Sequence, residues 1–144
     1  MSVMTESMET QRRTLFRHGA LFLLLSALIG LVVAAQAPHA NKWMVAHLSG
    51  LLTGVLIIAL GGLWSELRLA PGTRTRAWQM GLTAAWTGFV ANAYGAIVNL
   101  PGPATEPGRL PEAAWHLPVF FVMLAIIVPT TIGSFFLVWK GLRG

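Results

Sequence analysis

Four long apolar runs occupy most of the chain, and shorter stretches rich in proline, glycine and charge separate them. A helix needs about 20 mostly apolar residues to cross the hydrocarbon of a bilayer. Runs of this length cover residues 15–36, 43–64, 78–100 and 115–139. Five of the six tryptophans fall at their ends, as in an aromatic belt at a membrane surface. The pattern predicts an all-α fold, a bundle of four transmembrane helices.

Two other interpretations fit this pattern less well. A transmembrane β-barrel alternates apolar and polar residues over roughly ten-residue segments, whereas these runs are continuous. The first run, preceded by arginines and followed by Ala35-Gln36-Ala37, also resembles a secretory signal with its cleavage site. Its apolar stretch of about 17 residues is longer than a usual signal core, so a spanning helix is favoured.

The composition supports a membrane-embedded class. Hydrophobic residues make up 55% of the 144 residues and charged residues only 10%, where a soluble domain carries about 25% charged residues. There are ten Lys and Arg against five acidic residues. The cations stand near the ends of the apolar runs and form no clustered basic patch, which a nucleic-acid partner would require. We therefore expect the lipid bilayer as a partner, and no nucleic acid.

The distribution of cations predicts the orientation of the helices. In a four-span arrangement, Lys42 and Arg109 fall on one side, and the other eight cations fall on the opposite side. Cytoplasmic loops carry the excess of Lys and Arg, so both termini are expected in the cytoplasm. Residues 1–14 are predicted to be a flexible tail and 15–144 a single membrane domain. The Pro- and Gly-rich stretches 65–77 and 101–114 are predicted to be connections.

The uncommon polar side chains of the spans gather in the outer half of the predicted bundle. At about 1.5 Å per residue, His47 lies about one turn below the outer end of the second helix, and Asn92 and Tyr94 lie in the outer half of the third. The fourth helix begins there with His116, and the first ends there with Gln36. Polar groups in hydrocarbon are costly unless they face protein, a cavity or a ligand. This region is therefore the candidate functional site.

Glycines on the second helix lie on the same side as the histidine. His47, Gly50 and Gly54 share one face, and the two glycines form a G-x-x-x-G pair. The pair indicates either close helix packing or a flat ligand lying on a strip without side chains below His47.

The third helix carries polar residues on two opposite faces. One face contains Gly88, Asn92, Gly95 and Asn99, and the other contains Thr83, Thr87 and Tyr94. Neither polar face is suited to contact with lipid. A bundle of only four helices supplies little protein surface to cover both faces of one of its helices. The pattern therefore indicates an oligomer whose subunits meet near the third helix.

The residue types present exclude several kinds of chemistry. No cysteine is present, no carboxylate lies inside a predicted span, and no H-E-x-x-H or two-His-one-carboxylate set occurs. Proton-coupled pumps and zinc or non-haem iron sites therefore fit poorly. Imidazole is the one strong ligand type in the spans, so haem with an axial histidine is the most natural cofactor. His47 is the first candidate ligand and His116 the second, while His18 and His39 are expected to be solvated.

Short motifs along the chain resemble those of a known family. His18-Gly19-x-Leu21 opens the first helix, Ala46-His47-Leu48-x-Gly50-x-x-x-Gly54 lies on the second and Gly88-x-x-Ala91-Asn92 on the third. The chain closes with Leu137-Val138-Trp139-x-Gly141-Leu142-Arg143. In this order, over residues 17–143, the motifs resemble the hydroxylaminobenzene mutase family, which is related to styrene oxide isomerase.

The resemblance implies a cofactor, an assembly and a reaction. Styrene oxide isomerase is a trimer with haem b at its subunit interfaces, and the histidine that matches His47 binds the iron. The ferric iron acts as a Lewis acid on the epoxide oxygen without net redox change. Hydroxylaminobenzene mutase moves the N-hydroxyl oxygen of an aryl hydroxylamine to the ring. By resemblance, we expect a homotrimeric isomerase that contains haem b and acts on small hydrophobic aromatic substrates.

Three positions depart from these relatives. Thr53 stands where both carry Asn, six residues after the helix-two histidine, and Thr87 stands where the epoxide isomerase carries Asp. Tyr94 follows Asn92 by two residues, where the epoxide isomerase has its active-site Tyr four residues after the Asn. The missing Asp argues against an epoxide isomerase. The predicted function is therefore rearrangement of an aryl hydroxylamine to an aminophenol.

The residues expected to carry this function lie on the second and third helices. His47 is expected to bind the haem iron, with Gly50 and Gly54 beside the cofactor, and Asn92, Tyr94 and Thr53 are the catalytic candidates. One alternative is isomerisation of an epoxide to an aldehyde. Another is a b-type cytochrome electron carrier whose haem is bound by both His47 and His116, and a third is a structural membrane subunit without a cofactor.

Overall fold

The computed structural model of the protein describes residues 3–35, 39–100 and 116–143. This part of the chain is helical and contains no strand: α1 spans Val3–Ala34, α2 Ala40–Leu63, α3 Pro71–Ile97 and α4 His116–Arg143. A short 3-10 helix at Trp64–Glu66 follows α2. The all-α prediction is confirmed for these residues. α1, α2 and α4 are long and apolar enough to cross a membrane.

The helices begin and end near the predicted limits, with two differences. α1 begins at Val3, so the segment predicted as a flexible tail continues the helix, and Gln11 within it is buried. α3 begins at Pro71, inside the stretch predicted as a connection. Proline is favourable at the start of a helix because the N–H that it lacks would have no helical partner there. The predicted span limits at Gln36 and Trp115 lie outside the described residues.

The chain folds as two helical hairpins joined through their middle helices. α1 packs against α2, α4 packs against α3, and α2 contacts α3 between the two pairs. Phe22, Ile57 and Phe89 belong to the buried core. Many other large apolar side chains are exposed, as expected of helices that face lipid or another subunit. Among the most exposed are Leu31, Leu52, Ile97, Phe121 and Ile132.

Polar contacts close one end of the bundle. Gln11 of α1 donates from Nε2 to Thr75 Oγ1 of α3 at 3.0 Å. The backbone N–H of Arg68 donates to the Gly141 carbonyl of α4 at 2.9 Å. These bonds bring together the start of α1, the connection between α2 and α3, and the end of α4, which are the segments that carry most of the cations.

The opposite end is closed by α2 and α3. Asn99 adopts the left-handed backbone conformation, with φ of 51°, which Asn tolerates at the end of a helix. The Leu100 N–H then bonds to the Gly95 carbonyl at 3.0 Å. Lys42 at the start of α2 is buried and donates to the Leu100 carbonyl. Lys42, one of the two cations that the sequence places on this side of the bundle, therefore caps α3, where positive charge is favourable.

Trp64 does not lie at the protein surface, where an aromatic-belt residue is expected. Its side chain is fully buried, whereas Trp139, also at a predicted span end, is 50% exposed. The N-terminal extension of α1 reaches the 3-10 helix, and Gln11 accepts a hydrogen bond from the Trp64 indole at 3.2 Å. The prediction is wrong for Trp64 because α1 is longer than its apolar run and covers this end of α2.

α3 is the least apolar of the four helices and is absent from those that qualify as membrane spans. Its interior carries Asn92, Tyr94 and two tryptophans. It also contacts α2 on one side and α4 on another. A helix held between two neighbours exposes less surface to lipid, so polar side chains are tolerated there more readily than on an outer helix.

Glycines allow α1 and α2 to approach closely. A Cβ atom on Gly19 would lie 2.9 Å from the Gly54 carbonyl oxygen, and one on Gly54 would lie 3.0 Å from the Gly19 carbonyl oxygen. The two backbones therefore meet face to face at these residues. Such contacts are typical of membrane helices, which associate through close packing of small residues.

We predict that Gly19→Ala lowers the stability of the protein, because the new methyl group meets the backbone of α2. Overpacking costs about 1–3 kcal/mol, more than the roughly 1 kcal/mol that Ala gains over Gly in a helix. Gly62→Ala is the matched control, since a Cβ there meets nothing within 4 Å. Thermal unfolding in detergent, followed by circular dichroism, measures both variants. Equal melting temperatures for the two would contradict the backbone contact.

Candidate active site

His47 lies on α2 with its imidazole turned toward α1. Its Nδ1 is 2.7 Å from the backbone carbonyl oxygen of Ser26. A carbonyl oxygen can only accept, so Nδ1 carries the proton and donates it. In a neutral imidazole Nε2 then holds a lone pair. Among the described residues Nε2 has no hydrogen-bond partner, so it is the ring atom available to a ligand.

Ser26 and two glycines complete the surroundings of this ring. The hydroxyl of Ser26, a fully buried residue, donates to the backbone carbonyl of His47. A Cβ atom on Gly30 would lie 2.9 Å from His47 Cε1 and 3.1 Å from Nδ1. A Cβ atom on Gly50 would lie 3.0 Å from Ser26 Cβ. The two glycines therefore leave the space that the His47 ring and the Ser26 side chain occupy.

The face of α2 that carries Gly50 and Gly54 is covered by other parts of the same chain. Phe89 of α3 lies over Gly50, with its Cε2 2.9 Å from where a Cβ would be, and Leu23 of α1 lies over Gly54 in the same way. These contacts match the first interpretation of the G-x-x-x-G pair, close helix packing. The strip below His47 is filled by side chains of α1 and α3.

A cavity of about 260 Å³ lies between α2, α3 and α4. Hydroxyl and amide side chains form part of its wall, and the remainder is apolar or lined by small residues. Leu56 and Phe135 border it and are 55% and 59% exposed, so its rim reaches the outer surface of the helices. The polar lining residues are Ser49, Thr53, Asn92, Thr131 and Ser134.

Two of the predicted catalytic residues, Thr53 and Asn92, meet at this cavity. Asn92 Nδ2 donates to the Gly88 carbonyl of its own helix at 2.9 Å, which leaves its Oδ1 for an occupant of the cavity. His47 is not among the lining residues. Thr53 follows His47 by six residues, so the two side chains are separated by about 120° around the helix. The cavity and the His47 ring therefore lie on different faces of α2.

Tyr94 and His116 form a separate pair at the end of the bundle where α4 begins. The Tyr94 hydroxyl is hydrogen-bonded to His116 Nδ1, and the rings meet edge to face at 5.6 Å between centroids. Neither residue lines the cavity. The structure therefore separates the third catalytic candidate, Tyr94, from Asn92 and places the second candidate ligand, His116, against α3.

Three residues near these sites have roles that the sequence did not reveal. His18, expected to be solvated, is half-buried and accepts a hydrogen bond from Trp86 Nε1 at 3.1 Å. Ser26 and Gly30 were missed altogether. A lone glycine inside an apolar helix is a signal of close approach, but the sequence cannot say what approaches it.

The chain is similar to proteins of named activity. It is 25% identical over 134 residues to hydroxylaminobenzene mutase HabB from Ectopseudomonas oleovorans, a match that covers 91% of this chain and 80% of that protein. No solved structure matches the chain. The sequence pattern of the family described as styrene oxide isomerase matches residues 11–143. Because this match covers nearly the whole chain, the protein belongs to the styrene oxide isomerase family.

Proposed function

We propose that the protein is a membrane isomerase that rearranges an aryl hydroxylamine to an aminophenol. The relative named hydroxylaminobenzene mutase supports this substrate class. In the reaction the N–O bond and one ring C–H bond break, and a ring C–O bond and an N–H bond form, so substrate and product contain the same atoms. A small aromatic substrate partitions into the bilayer, and the cavity with its rim at the lipid-facing surface suits access from there.

The state of the His47 imidazole is the observation that carries the proposal. Its Nδ1–H is held by the Ser26 carbonyl at 2.7 Å, which leaves a lone pair on Nε2. Histidines that bind metals commonly donate their other ring N–H in this way, and the bond fixes the tautomer and the ring orientation. His47 Nε2 would therefore be suited to hold the iron of haem b. When bound, the haem would supply an iron that polarises the substrate oxygen as a Lewis acid.

The chain's own residues would bind and orient the substrate. Asn92 Oδ1 can accept a hydrogen bond from the N–H or O–H of a hydroxylamine, and the Thr53 hydroxyl can donate or accept one. Apolar lining residues such as Ile57 and Ala85 suit the aromatic ring. A volume of about 260 Å³ fits a single-ring substrate without room for a long chain.

We propose a homotrimer because one chain does not bring these parts together. His47 faces α1, whereas Thr53 and Asn92 line a cavity against α3 and α4. A neighbouring subunit could place its own surface beside His47 Nε2. The exposed apolar side chains of the outer helices supply surface for such contacts, and haem at subunit interfaces is what the family resemblance implies.

The match to the styrene oxide isomerase family favours a second candidate reaction, the isomerisation of an epoxide to an aldehyde. It would use the same ligand and cavity, since both reactions need a polarised substrate oxygen. The b-type cytochrome has less support. His47 is bonded to α1 and His116 to Tyr94 of α3, so the two imidazoles belong to different helix contacts.

We also propose that all four helices cross a bacterial inner membrane, with both termini in the cytoplasm. α3 is bonded at one end to α1 through Thr75 and at the other end to Lys42 of α2. Both partner helices are apolar enough to span, so α3 runs between the same two ends of the bundle. The cation-rich end is the cytoplasmic one by the excess of Lys and Arg.

Purified protein supplied with haem should convert phenylhydroxylamine to an aminophenol, measured by chromatography of the product, and should turn over styrene oxide more slowly. His47→Ala should lose both haem retention and activity, because it removes the side chain that would hold the iron, while the helices still insert. His116→Ala is the comparison variant and should retain haem. Retention of haem by His47→Ala together with its loss in His116→Ala would show that the wrong ligand was chosen.

Asn92→Leu should lower turnover by about two orders of magnitude, the scale for loss of one stabilising polar group, with haem content unchanged. Leucine has a similar volume and removes both hydrogen-bonding groups. Asn41→Leu, at an exposed position at the start of α2, is the control. If Asn92→Leu turned over normally and only melted earlier, Asn92 would be a packing residue, as polar contacts between membrane helices often are.

Reporter fusions on either side of α3 test its crossing directly. A reporter fused after Leu69 should lie in the cytoplasm, and one fused after Leu100 should lie outside it, because α3 separates the two positions. A fusion after Gly144 should again be cytoplasmic. An identical location for the Leu69 and Leu100 fusions would rule out a fourth span.

A further inference from the structure

We infer that Ser26 and Gly30 of α1 are positioning residues that hold the His47 imidazole with its proton on Nδ1 and its Nε2 free. The inference deepens the proposed function and rests on it, since Nε2 is the atom proposed to bind the haem iron. According to this inference, α1 sets the orientation and the proton position of the His47 ring, although the histidine itself is on α2.

The first part of the argument is the reciprocal pair of bonds between Ser26 and His47. The ring donates to the Ser26 carbonyl at 2.7 Å, and the Ser26 hydroxyl donates to the His47 carbonyl. A carbonyl oxygen has two lone pairs, so that of Ser26 can accept from the ring and from its own helix together. Ser26 is fully buried, and water therefore does not compete for these groups. Each residue thus fixes the position of the other.

The second part concerns Gly30, which follows Ser26 by one turn. Glycine is unfavourable inside a helix, so its presence here needs a reason. A methyl group at this position would lie 2.9 Å from His47 Cε1 and 3.1 Å from Nδ1. These distances are too short for a carbon atom, and the ring would have to move away from the Ser26 carbonyl. Gly30 is therefore the residue that permits the Nδ1 bond.

Loss of the Nδ1 bond would change the chemistry of the ring as well as its position. An imidazole without a partner for Nδ1–H can exchange the proton to Nε2, which then has no lone pair to offer. Groups that accept a hydrogen bond from a metal-binding histidine typically raise the metal affinity of the site 10–100-fold. Gly30→Ala should therefore weaken the binding of ferric haem b by about 10–100-fold. Ser26→Ala keeps the carbonyl and should have a smaller effect.

Nitrogen NMR of the full-length protein in detergent, labelled with 15N-histidine and measured before ferric haem b is added, tests the tautomer. His47→Gln identifies the signals of this ring among the four histidines. The wild-type protein should show protonated Nδ1 and unprotonated Nε2, and Gly30→Ala should show protonation at Nε2. A wild-type ring protonated at Nε2 would overturn the inference, whatever the variants do.

Titration with ferric haem b, followed by absorption, then compares Gly30→Ala with two controls. Gly19→Ala disturbs the α1–α2 packing away from His47, and Gly62→Ala meets no neighbour. Both should bind haem as the wild type does. Equal affinity of Gly30→Ala and wild type, with an unchanged tautomer, would overturn the inference. A wild-type protein with the expected tautomer that binds no haem would instead count against the proposed function and leave the positioning by α1 supported.

Discussion

The close approach of the α1 and α2 backbones is the constraint on which the candidate site depends. A ring nitrogen on α2 reaches a main-chain carbonyl on α1, from His47 to Ser26, because Gly30 of α1 and Gly50 of α2 leave the space that the ring and the serine side chain occupy. In hydrocarbon, an imidazole N–H or a serine hydroxyl without a partner would be costly. The same approach therefore packs the hairpin and satisfies the polar groups that lie at its centre.

The polar residues of α3 are likewise accommodated by contacts with the neighbouring helices. Lys42 caps the end of the helix, Gln11 bonds to its beginning, and α2 and α4 cover parts of its length. A helix with this composition would be poorly suited to lipid on all sides. Its position between two apolar neighbours permits it to carry Asn92 and small residues such as Gly88, which form one wall of a cavity.

The two halves of the candidate site lie on different faces of one helix, and this separation shapes the functional proposal. α2 presents His47 toward α1 and Thr53 toward the cavity. One chain therefore contains a potential metal ligand and a potential substrate pocket that do not face each other. An assembly in which subunits share a site accounts for both features, and it agrees with the outward-facing apolar side chains of the outer helices.

The sequence by itself determined the properties that depend on local pattern. Apolar runs set the number and approximate limits of the helices and the membrane class, and the spacing of motifs around His47 identified the family. Tertiary structure decided the rest: that Trp64 is buried, that Lys42 caps α3, that Gly50 and Gly54 face other helices, and that Thr53 and Asn92 share a cavity while Tyr94 does not. The helical periodicity predicts which residues share a face of a helix. Which other helix contacts that face depends on how all the helices pack together.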